Sequence, residues 1–362
     1  MSGIYVHIPY CTQKCIYCDF YSVPTRKSKK NYLFALAKEM HDRKQYLADT
    51  VKTVYFGGGT PSNLDLEEMR FVVDNLRKNF DLSQCEEMTL EANPEHLNAE
   101  YLSSLRKSGF NRISIGVQSF DDMDLRTLCR KHNSEQAISA IRTARKQGFE
   151  NISLDLIFNL PSQSLEKWKQ NLDTALSLFP EHLSCYCLTI EENTILYKMI
   201  QKGLIDTPDE ETGLSQFDFT MRQLASAGYE HYEVSNYCKY GYRSKHNTAY
   251  WQGVEYLGLG ASAHSFDIHT RSWNSADINT YIYNIYNIEH GIAPEEELLS
   301  PKDCYNEYIM LSLRTAEGVN REYIKRHFPQ FLAHYDSQSK KVSSFMPQRW
   351  HLVNSIALEL MI

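Results

Sequence analysis

The chain of 362 residues lacks the features of a membrane-spanning, secreted or nucleic-acid-binding protein. It has no run of about 18 apolar residues, so the sequence predicts no membrane span. The first ten residues lack the charged and then apolar layout of a secretory signal. The formal net charge is −7, whereas surfaces that bind nucleic acids are usually basic. We therefore expect neither an integral membrane segment nor a nucleic-acid partner.

A disulfide framework is also missing, although the chain has nine cysteines. Six of them are scattered without regular spacing: Cys85, Cys129, Cys185, Cys187, Cys238 and Cys304. Free thiols of this kind are typical of reducing compartments, so we expect a cytoplasmic location. Cys185 and Cys187 alternate in a strand-like segment and would share one face of it. We interpret these two as small core residues, with metal ligation as the alternative.

The remaining three cysteines form the most informative motif of the chain. Cys11, Cys15 and Cys18 follow the spacing C-x3-C-x2-C, directly after a short apolar segment. Iron–sulfur clusters are held by cysteine thiolates, usually four of them. Three thiolates would hold three corners of an iron–sulfur cube and leave the fourth iron open. A zinc knuckle or three unrelated core cysteines are the alternatives, but zinc sites commonly have a second ligand pair, and none follows here.

The first 190 residues alternate between strand-like and helix-like segments. The predicted strands are residues 4–8, 53–56, 88–91, 112–117, 152–158 and 183–190. Amphipathic helices are predicted at residues 32–46, 66–79, 100–107, 135–147 and 165–178. Repeated βα units indicate a parallel sheet, and six of them predict an α/β fold with a partial (β/α)6 TIM-type barrel. We expect the reactive groups at the C-terminal ends of the strands.

The rhythm of the sequence changes after the predicted barrel. One long helix is predicted over residues 206–228, followed by a stretch rich in Tyr, Asn and Gly over residues 229–266. A further helix is predicted at residues 278–288, and two or three short helices follow residue 301. We therefore predict a barrel, an extension and a small helical, winged-helix-like domain, at residues 1–190, 191–295 and 296–362.

Glycines and polar residues fall where the predicted strands end. The run GGGTPS follows the second strand, where glycines would let a ligand approach the backbone closely, although a tight turn explains it equally well. Later strand ends carry Glu91, Gln118, Arg130 and Asp155. A buried polar group is unfavourable unless it is satisfied. A series of them around one barrel mouth predicts a shared polar ligand.

Six runs carry a closer resemblance: YVHIPYC, GGGTPS, LEANPE, GVQSF, RKHN and DLIFNLP. They resemble the oxygen-independent coproporphyrinogen III dehydrogenase branch of the radical S-adenosylmethionine (SAM) superfamily, which includes HemW-type heme chaperones. The resemblance implies a 4Fe-4S cluster on the three clustered cysteines, with SAM on the open iron. It implies that the following residues line the SAM site: Tyr5, Tyr17, Gly58, Gly59, Thr60, Glu91, Gln118, Arg130 and Asp155.

Two features distinguish the chaperones from the dehydrogenases in this branch. The dehydrogenases usually add a fourth cysteine two residues after the third, where this chain has Phe20, and they carry a longer N-terminal arm than is seen before Cys11. The run HNTAYW at residues 246–251 matches the H-N-x-x-Y-W motif of HemW-type proteins. The resemblance thus implies a chaperone that binds heme and delivers it to an acceptor protein.

Two other activities stay as alternatives. The first is coproporphyrinogen III dehydrogenase, a radical SAM enzyme that decarboxylates propionate side chains in porphyrin biosynthesis. The second is an RNA-modifying radical SAM enzyme, which would need a basic channel that the acidic composition does not favour. The cofactors implied by the preferred resemblance are the cluster, SAM and heme. The acceptor protein is not named by the sequence, and peripheral contact with membrane hemoproteins is compatible with it.

The resemblance also suggests candidates for the heme ligand. Imidazole is a frequent axial ligand of heme iron, so His246 is the first candidate, with Tyr250 and Trp251 as walls against the porphyrin. His264 and His7 are weaker candidates, and His7 alternatively braces the cysteine loop.

Overall fold

The computed structural model describes residues 2–24, 27–287, 295–343 and 349–362. These residues form a twelve-stranded sheet in which six consecutive strands are parallel neighbours. The six strands are β1 (Ser2–Ile8), β2 (Val51–Gly58), β3 (Glu87–Ala92), β4 (Arg112–Gln118), β5 (Ile152–Phe158) and β6 (His182–Cys187). The predicted α/β fold with six parallel strands is confirmed, and β6 ends earlier than the predicted segment.

Helices connect these strands and cover the outer face of the sheet. They are α1 (Lys29–Asp42), α2 (Leu66–Asn79), α3 (Ala99–Lys107), α4 (Asp122–Thr127), α5 (Ser134–Lys146) and α6 (Leu165–Ser177). Asp65 and Asn133 form capping boxes at α2 and α5, which explains why both helices begin at or next to their predicted first residues. Helix α1 begins and ends earlier than the predicted 32–46, and the side chain of Ser28 makes no capping hydrogen bond there.

The barrel strands have one apolar and one polar face. On β1, Ile4, Val6 and Ile8 are fully buried in the core shared with the helices, whereas Tyr5 and His7 alternate with them and face the barrel interior. The alternating polar residues of the next strands are Thr53, Tyr55, Glu87, Thr89, Glu91, Arg112, Ser114, Ser153, Asp155, His182 and Ser184. The interior is therefore polar, in contrast to the branched apolar layers that fill many TIM barrels.

The extension adds strands to both edges of this sheet. They are β7 (Glu230–Glu233), β8 (Asn236–Cys238), β9 (Tyr256–Leu259), β10 (His264–Phe266), β11 (Thr270–Trp273) and β12 (Glu295–Leu298). Strand β9 pairs parallel to β1, and β8 pairs antiparallel to β6. One hydrophobic core contains residues from Ile4 to Ile285. The predicted boundary at residue 190 therefore does not coincide with a break in the sheet or in the core.

Four further helices belong to the extension: α7 (Ile195–Gln201), α8 (Glu210–Ser226), α9 (Lys245–Trp251) and α10 (Ile278–Asn287). Helix α9 contains the HNTAYW run and closes the N-terminal end of the barrel. The carboxylate of Glu87, at the start of β3, accepts hydrogen bonds from the backbone N–H groups of Lys245 at 2.9 Å and His246 at 3.1 Å. The side chain of Ser244 caps the same helix. The HNTAYW run thus has a structural role that its sequence did not indicate.

The C-terminal region has its own hydrophobic core. Its helices are α11 (Pro301–Leu313), α12 (Arg321–His327), α13 (Leu332–Val342) and α14 (Arg349–Leu360). The core residues include Tyr305, Ile309, Ile324 and Ile356. The prediction of a helical C-terminal region is confirmed, with four helices in the described part rather than two or three. A winged-helix arrangement stays a prediction, since β12 joins the main sheet. None of the helices that the structure describes is long and apolar enough to cross a membrane.

The connection between β9 and β10 turns back sharply against α1. Gly260 has φ +100°, and a Cβ atom there would lie 2.3 Å from the hydroxyl of Tyr32. Ser262 has φ 64°, in the left-handed region that favours glycine. Serine at this position therefore holds a backbone conformation that glycine would adopt more easily.

A buried carboxylate holds this connection in place. Glu39 of α1 is fully buried, and it accepts hydrogen bonds from Gly260 N at 2.7 Å, Asn274 Nδ2 at 2.8 Å and Tyr281 Oη at 2.6 Å. All three donors come from the extension. The bonds therefore join the first barrel helix to the segment that follows β9.

We expect Glu39→Gln to lower the free energy of unfolding by about 2–4 kcal/mol, because the amide nitrogen of Gln would face donors that need an acceptor. Asp42→Asn, on the same helix, should change it by less than about 0.5 kcal/mol, since it removes only an exposed ion pair. Urea unfolding followed by circular dichroism measures both values. Equal stability of the two variants would contradict the role assigned to Glu39.

Candidate functional site

A cavity of about 710 Å³ opens at the C-terminal ends of the barrel strands. It gathers most of the residues that the sequence predicted for cluster and SAM binding. Those that line it are Cys11, Cys15, Tyr17, Cys18, Gly58, Gly59, Thr60, Glu91, Gln118, Arg130 and Asp155. Tyr5 is not in the lining and lies deeper in the barrel interior, stacked on Tyr55. The predicted convergence at the strand ends is therefore observed for all of these residues except Tyr5.

The cysteine loop is anchored at its base and in its middle. Val23 N donates to Pro9 O at 2.7 Å, and Cys11 N donates to Val23 O at 3.0 Å, which closes the base of the loop. Ile16 is buried in a small apolar cluster at the ends of β5 and β6, and its carbonyl accepts from Leu196 N at 2.9 Å. These contacts hold the loop over the barrel mouth.

The three thiols are free and half-exposed, so they are available to a metal cluster. Burial raises the pKa of Cys11, and it raises the pKa of Cys18 to about 11, although a backbone hydrogen bond from Phe20 opposes the second shift. Such thiols need bound iron or another cation to ionise. No three His, Cys, Asp or Glu within the described ranges converge on a single metal ion. A cubic 4Fe-4S cluster takes one thiolate at each of three irons, so its ligands lie farther apart than those of a single metal ion. Such a cluster suits this all-sulfur donor set.

Arg130 lies beside the cysteine loop as a fixed positive charge. Its Nη2 donates to Asn93 Oδ1 at 2.7 Å and Gly116 O at 2.6 Å, and its Nη1 lies 3.5 Å from Cys15 Sγ. Burial lowers the pKa of Arg130, but Tyr17 and Cys15 raise it, and the net pKa is above the usual value. Its Nε is buried and has no partner among the described residues. The guanidinium can thus stabilise a thiolate and bind a further anionic group.

Two carboxyl groups lie in the same cavity. Glu91 accepts from Tyr55 Oη at 2.8 Å and from Gly58 N at 3.3 Å, and Asp155 accepts from Ser114 Oγ at 3.0 Å. Burial raises the pKa of Glu91 to about 7, with a further contribution from Asp155, and burial also raises the pKa of Asp155. Together with a guanidinium, these carboxyl groups complement a ligand that has both an ammonium and a carboxylate, as an amino acid does.

Contacts within the protein require the glycines at the end of β2, because they leave no room for a side chain. Gly58 has φ +106°, and a Cβ atom there would lie 2.5 Å from the ring of His7. A Cβ atom on Gly59 would lie 2.8 Å from the carbonyl carbon of Pro9. The sequence left ligand approach and a tight turn as equally good explanations of these glycines, whereas the structure gives close contacts with His7 and Pro9 as a sufficient reason. Both residues still line the cavity.

His7 braces the cysteine loop from below. Its Nε2 donates to Tyr21 O at 3.1 Å, since a carbonyl oxygen can only accept, so Nδ1 accepts from Tyr5 Oη at 3.1 Å. Burial lowers the pKa of His7 to about 4. These contacts match the bracing role predicted as the alternative to heme ligation.

Gln118 lines the cavity, Cys129 precedes the lining residue Arg130, and Asn159 directly follows β5; all three have backbone conformations that are rare outside glycine. Gln118, Cys129 and Asn159 have φ of 66°, 58° and 58°. Gln118 ends β4 beside an irregularity in the pairing with β5. Such residues cluster at functional sites, where the surrounding structure maintains the strain.

Cys187 is a cavity residue that the sequence analysis missed. Cys185 is buried as predicted, but Cys187 is exposed and lines the cavity because β6 ends there. The predicted strand continued to residue 190, which would have kept Cys187 in the core. Other lining residues not predicted are Asn93, Ser114 and Tyr186.

His246 lies at the opposite end of the barrel, in α9. Its side chain is buried, its Nδ1 lies 2.8 Å from Thr53 Oγ1, and its Nε2 lies 2.9 Å from Tyr250 Oη. Burial lowers the pKa of His246 to about 3. Heme ligation by His246 stays a prediction, and it would require one of these hydrogen bonds to break. His264 is exposed, stacks on Trp273 and does not line the cavity of the three cysteines.

A parallel barrel with three free thiols at its mouth defines the radical SAM class, and residues 5–175 match the model of the radical SAM superfamily. The fold is similar to that of coproporphyrinogen III oxidase HemN from Escherichia coli, a radical SAM enzyme. Its TM-score is 0.87 at 23% identity, covering 99% of this chain and 90% of that one, so this similarity concerns the fold.

Similarity along the sequence is greater to heme chaperones. Heme chaperone HemW of Bacillus subtilis is 37% identical over 338 residues, which cover 89% of this chain and 86% of that protein. HemW of Escherichia coli K12 is 38% identical over 265 residues, covering 72% and 69%. The chain belongs to the HemW family within the radical SAM superfamily.

We expect Cys11→Ala, Cys15→Ala and Cys18→Ala each to abolish the visible absorption of a thiolate-ligated 4Fe-4S cluster after anaerobic reconstitution. Cys187→Ala is the matched control, because this thiol lines the same cavity outside the motif. It should keep the full iron and sulfide content. A triple variant that still takes up four irons and sulfides would contradict the ligand assignment.

The raised pKa of Glu91 predicts a pH dependence of stability. The protonated Glu91 carboxyl makes its full contribution to the free energy of unfolding below about pH 4.5. This contribution is lost as the pH rises through about 7, because only the folded state favours the protonated carboxyl. The free energy of unfolding of Glu91→Gln, relative to that of the unmodified protein, should therefore increase as the pH is raised from 5 to 8. Urea unfolding without cofactors measures this difference, and the exposed Glu100→Gln should show none. A pH-independent difference for Glu91→Gln would contradict the raised pKa.

Proposed function

We propose that the protein is a heme chaperone that binds heme, holds a SAM-ligated 4Fe-4S cluster and delivers heme to an acceptor protein. The observation that carries this proposal is the three-thiol cavity in a chain that aligns with HemW over most of its length. Relatives of this chain are named heme chaperones. The proposal therefore assigns the cavity to the cluster and SAM. Heme binding and delivery are proposed from the similarity to the HemW family.

The cavity residues divide into two groups in this proposal. Cys11, Cys15 and Cys18 would hold the cluster, which when bound would provide one-electron chemistry at the SAM site. Arg130 binds the carboxylate of SAM or orients the thiolate beside it. The other cavity residues that would hold SAM are Tyr17, Gly58, Gly59, Thr60, Glu91, Gln118 and Asp155, whereas Tyr5, which was expected among them, lies deeper in the barrel interior. Of these, Glu91 is suited to the ammonium group, and it must lose its proton to bind a cation.

The alternative function is that of coproporphyrinogen III dehydrogenase. The fold similarity to HemN favours it, but a shared fold does not determine the reaction. The position of the dehydrogenases' fourth cysteine is taken by Phe20, whose side chain is 72% exposed at the mouth of the cavity. This apolar ring offers neither a metal ligand nor a proton-transfer group. The chaperone function therefore remains the one that the site supports better.

We further propose a cytoplasmic location and an acceptor among hemoproteins, including those reached by peripheral contact with a membrane. The cysteines of the chain are all free thiols in the described structure, which is typical of a reducing compartment.

An anaerobic titration with heme tests the proposed function. The reconstituted protein should bind heme with a Soret band distinct from that of free heme, and it should pass the heme to an apo-hemoprotein such as apomyoglobin. With SAM, a reductant and coproporphyrinogen III it should form no protoporphyrinogen, and Phe20→Cys should not create that activity. Catalytic formation of protoporphyrinogen by the unmodified protein would contradict the chaperone function.

A further inference from the structure

A second cavity, of about 440 Å³, lies at the end of the barrel opposite the cysteines. It is bounded by α9, the turn between β10 and β11, α11 and α12, and we call it the α9 groove. Tyr232 lines it and bonds His182 at the start of β6, which places the groove beside the N-terminal ends of the strands. Its aromatic lining residues are Tyr232, Trp251, Phe266, Tyr308, Tyr323 and Phe328.

The groove brings together several side chains of the kinds that ligate heme iron. Histidine, cysteine and tyrosine all serve as axial ligands, and the lining contains His269, Cys304, Tyr308, Tyr323 and His327. Neither His269 nor His327 has a hydrogen bond from its ring nitrogens within the described residues, whereas both ring nitrogens of His246 are bonded. The groove thus offers open imidazoles beside the HNTAYW run, of which Trp251 is a lining residue.

Of the two imidazoles, that of His327 is the better placed to bind heme iron. Its ring stacks on Tyr323 with the ring centres 4.2 Å apart, and Tyr323 stacks on Tyr308 at 4.5 Å. The stack forms one wall of the groove and limits the rotation of the imidazole. His269 lies instead on the turn between β10 and β11, next to Ile268, whose φ of 77° is rare for a β-branched residue.

The charged side chains around the groove are already paired. Arg243 binds Glu317 at 2.6 Å and also Glu230, and Arg271 binds Glu307. The lining therefore has little net charge, which suits the flat apolar face of a porphyrin. The two propionates of heme would remain in water at the open side of the groove.

We propose that heme binds in the α9 groove with His327 as an axial ligand to iron. This inference rests on the proposed function, because it takes heme as the ligand. A lone imidazole would hold a bare metal ion poorly, but a porphyrin supplies four nitrogens, so one protein ligand is sufficient. The volume of the groove is in the range of pockets that bind small molecules and cofactors. Heme and SAM then occupy opposite ends of the barrel and do not compete for space.

His327→Ala tests the ligand. It should shift the Soret band and weaken heme binding at least tenfold in an anaerobic titration, because the axial ligand sets both properties. His41→Ala is the control, since His41 is exposed on α1, away from the groove. This control should bind heme as the unmodified protein does, and cluster absorption should be retained in both variants.

Thr248→Trp tests the groove independently of the ligand. Thr248 lines the groove, and its buried hydroxyl has no hydrogen-bond partner among the described residues. Filling the groove with an indole should prevent heme binding, whereas Glu135→Trp, which adds an indole at an exposed position of α5 outside the groove, should leave it unchanged. Retained cluster absorption shows that the Thr248→Trp variant folds.

The outcomes separate the two proposals. If the unmodified protein binds heme and both His327→Ala and Thr248→Trp bind it with the same spectrum and affinity, the groove is not the site, and the proposed function stands. If only Thr248→Trp loses heme, the assignment of His327 is wrong. If the unmodified protein binds no heme at all, the proposed function itself fails.

Discussion

A buried guanidinium on the first residue of β4, inside the barrel, constrains much of the structure around it. Arg112 on β4 is 1% exposed, and burial lowers its pKa, but Glu87, aromatic hydroxyls and Asp155 raise it, so the side chain is charged. A buried charge without compensation strongly destabilises a fold. Carboxylates on neighbouring strands are therefore needed inside the barrel. Burial, and to a lesser extent the same positive charge, lowers the pKa values of His182 and His246. The polar interior follows from this requirement.

The compensating groups connect this interior to both ends of the barrel. At the N-terminal end, Glu87 also accepts the first backbone amides of α9, so one carboxylate balances Arg112 and holds the helix that closes the barrel. At the other end, Asp155 and Glu91 belong to the cavity of the three cysteines. The barrel thus presents thiols and charges at one end and an aromatic groove at the other. Two ligands of different chemistry can bind to one domain without sharing a site.

The fold alone does not separate the chaperones from the dehydrogenases. The barrel and its C-terminal helices are similar to those of HemN, with a TM-score of 0.87. The features that the sequence analysis used to distinguish the two classes lie at the two ends of the barrel, with Phe20 at the mouth of the cavity and the HNTAYW run in α9. Function therefore depends on the sites rather than on the shared architecture.

The sequence by itself determined the features that depend on near neighbours along the chain. Cysteine spacing, the rhythm of strand-like and helix-like segments and the amphipathic pattern of residues 66–79 predicted the cysteine loop, the six parallel strands and helix α2, because these depend on residues near one another along the chain. Contacts between distant residues were decided only by the tertiary structure. His246 is bonded to Thr53, 193 positions away, and this contact makes the expected heme ligand a buried part of the barrel. Cys187 reaches the cavity because β6 ends there, and the α9 groove exists only because the C-terminal helices fold back beside α9. Local patterns do not contain such pairings, since they depend on which surfaces meet when the sheet closes.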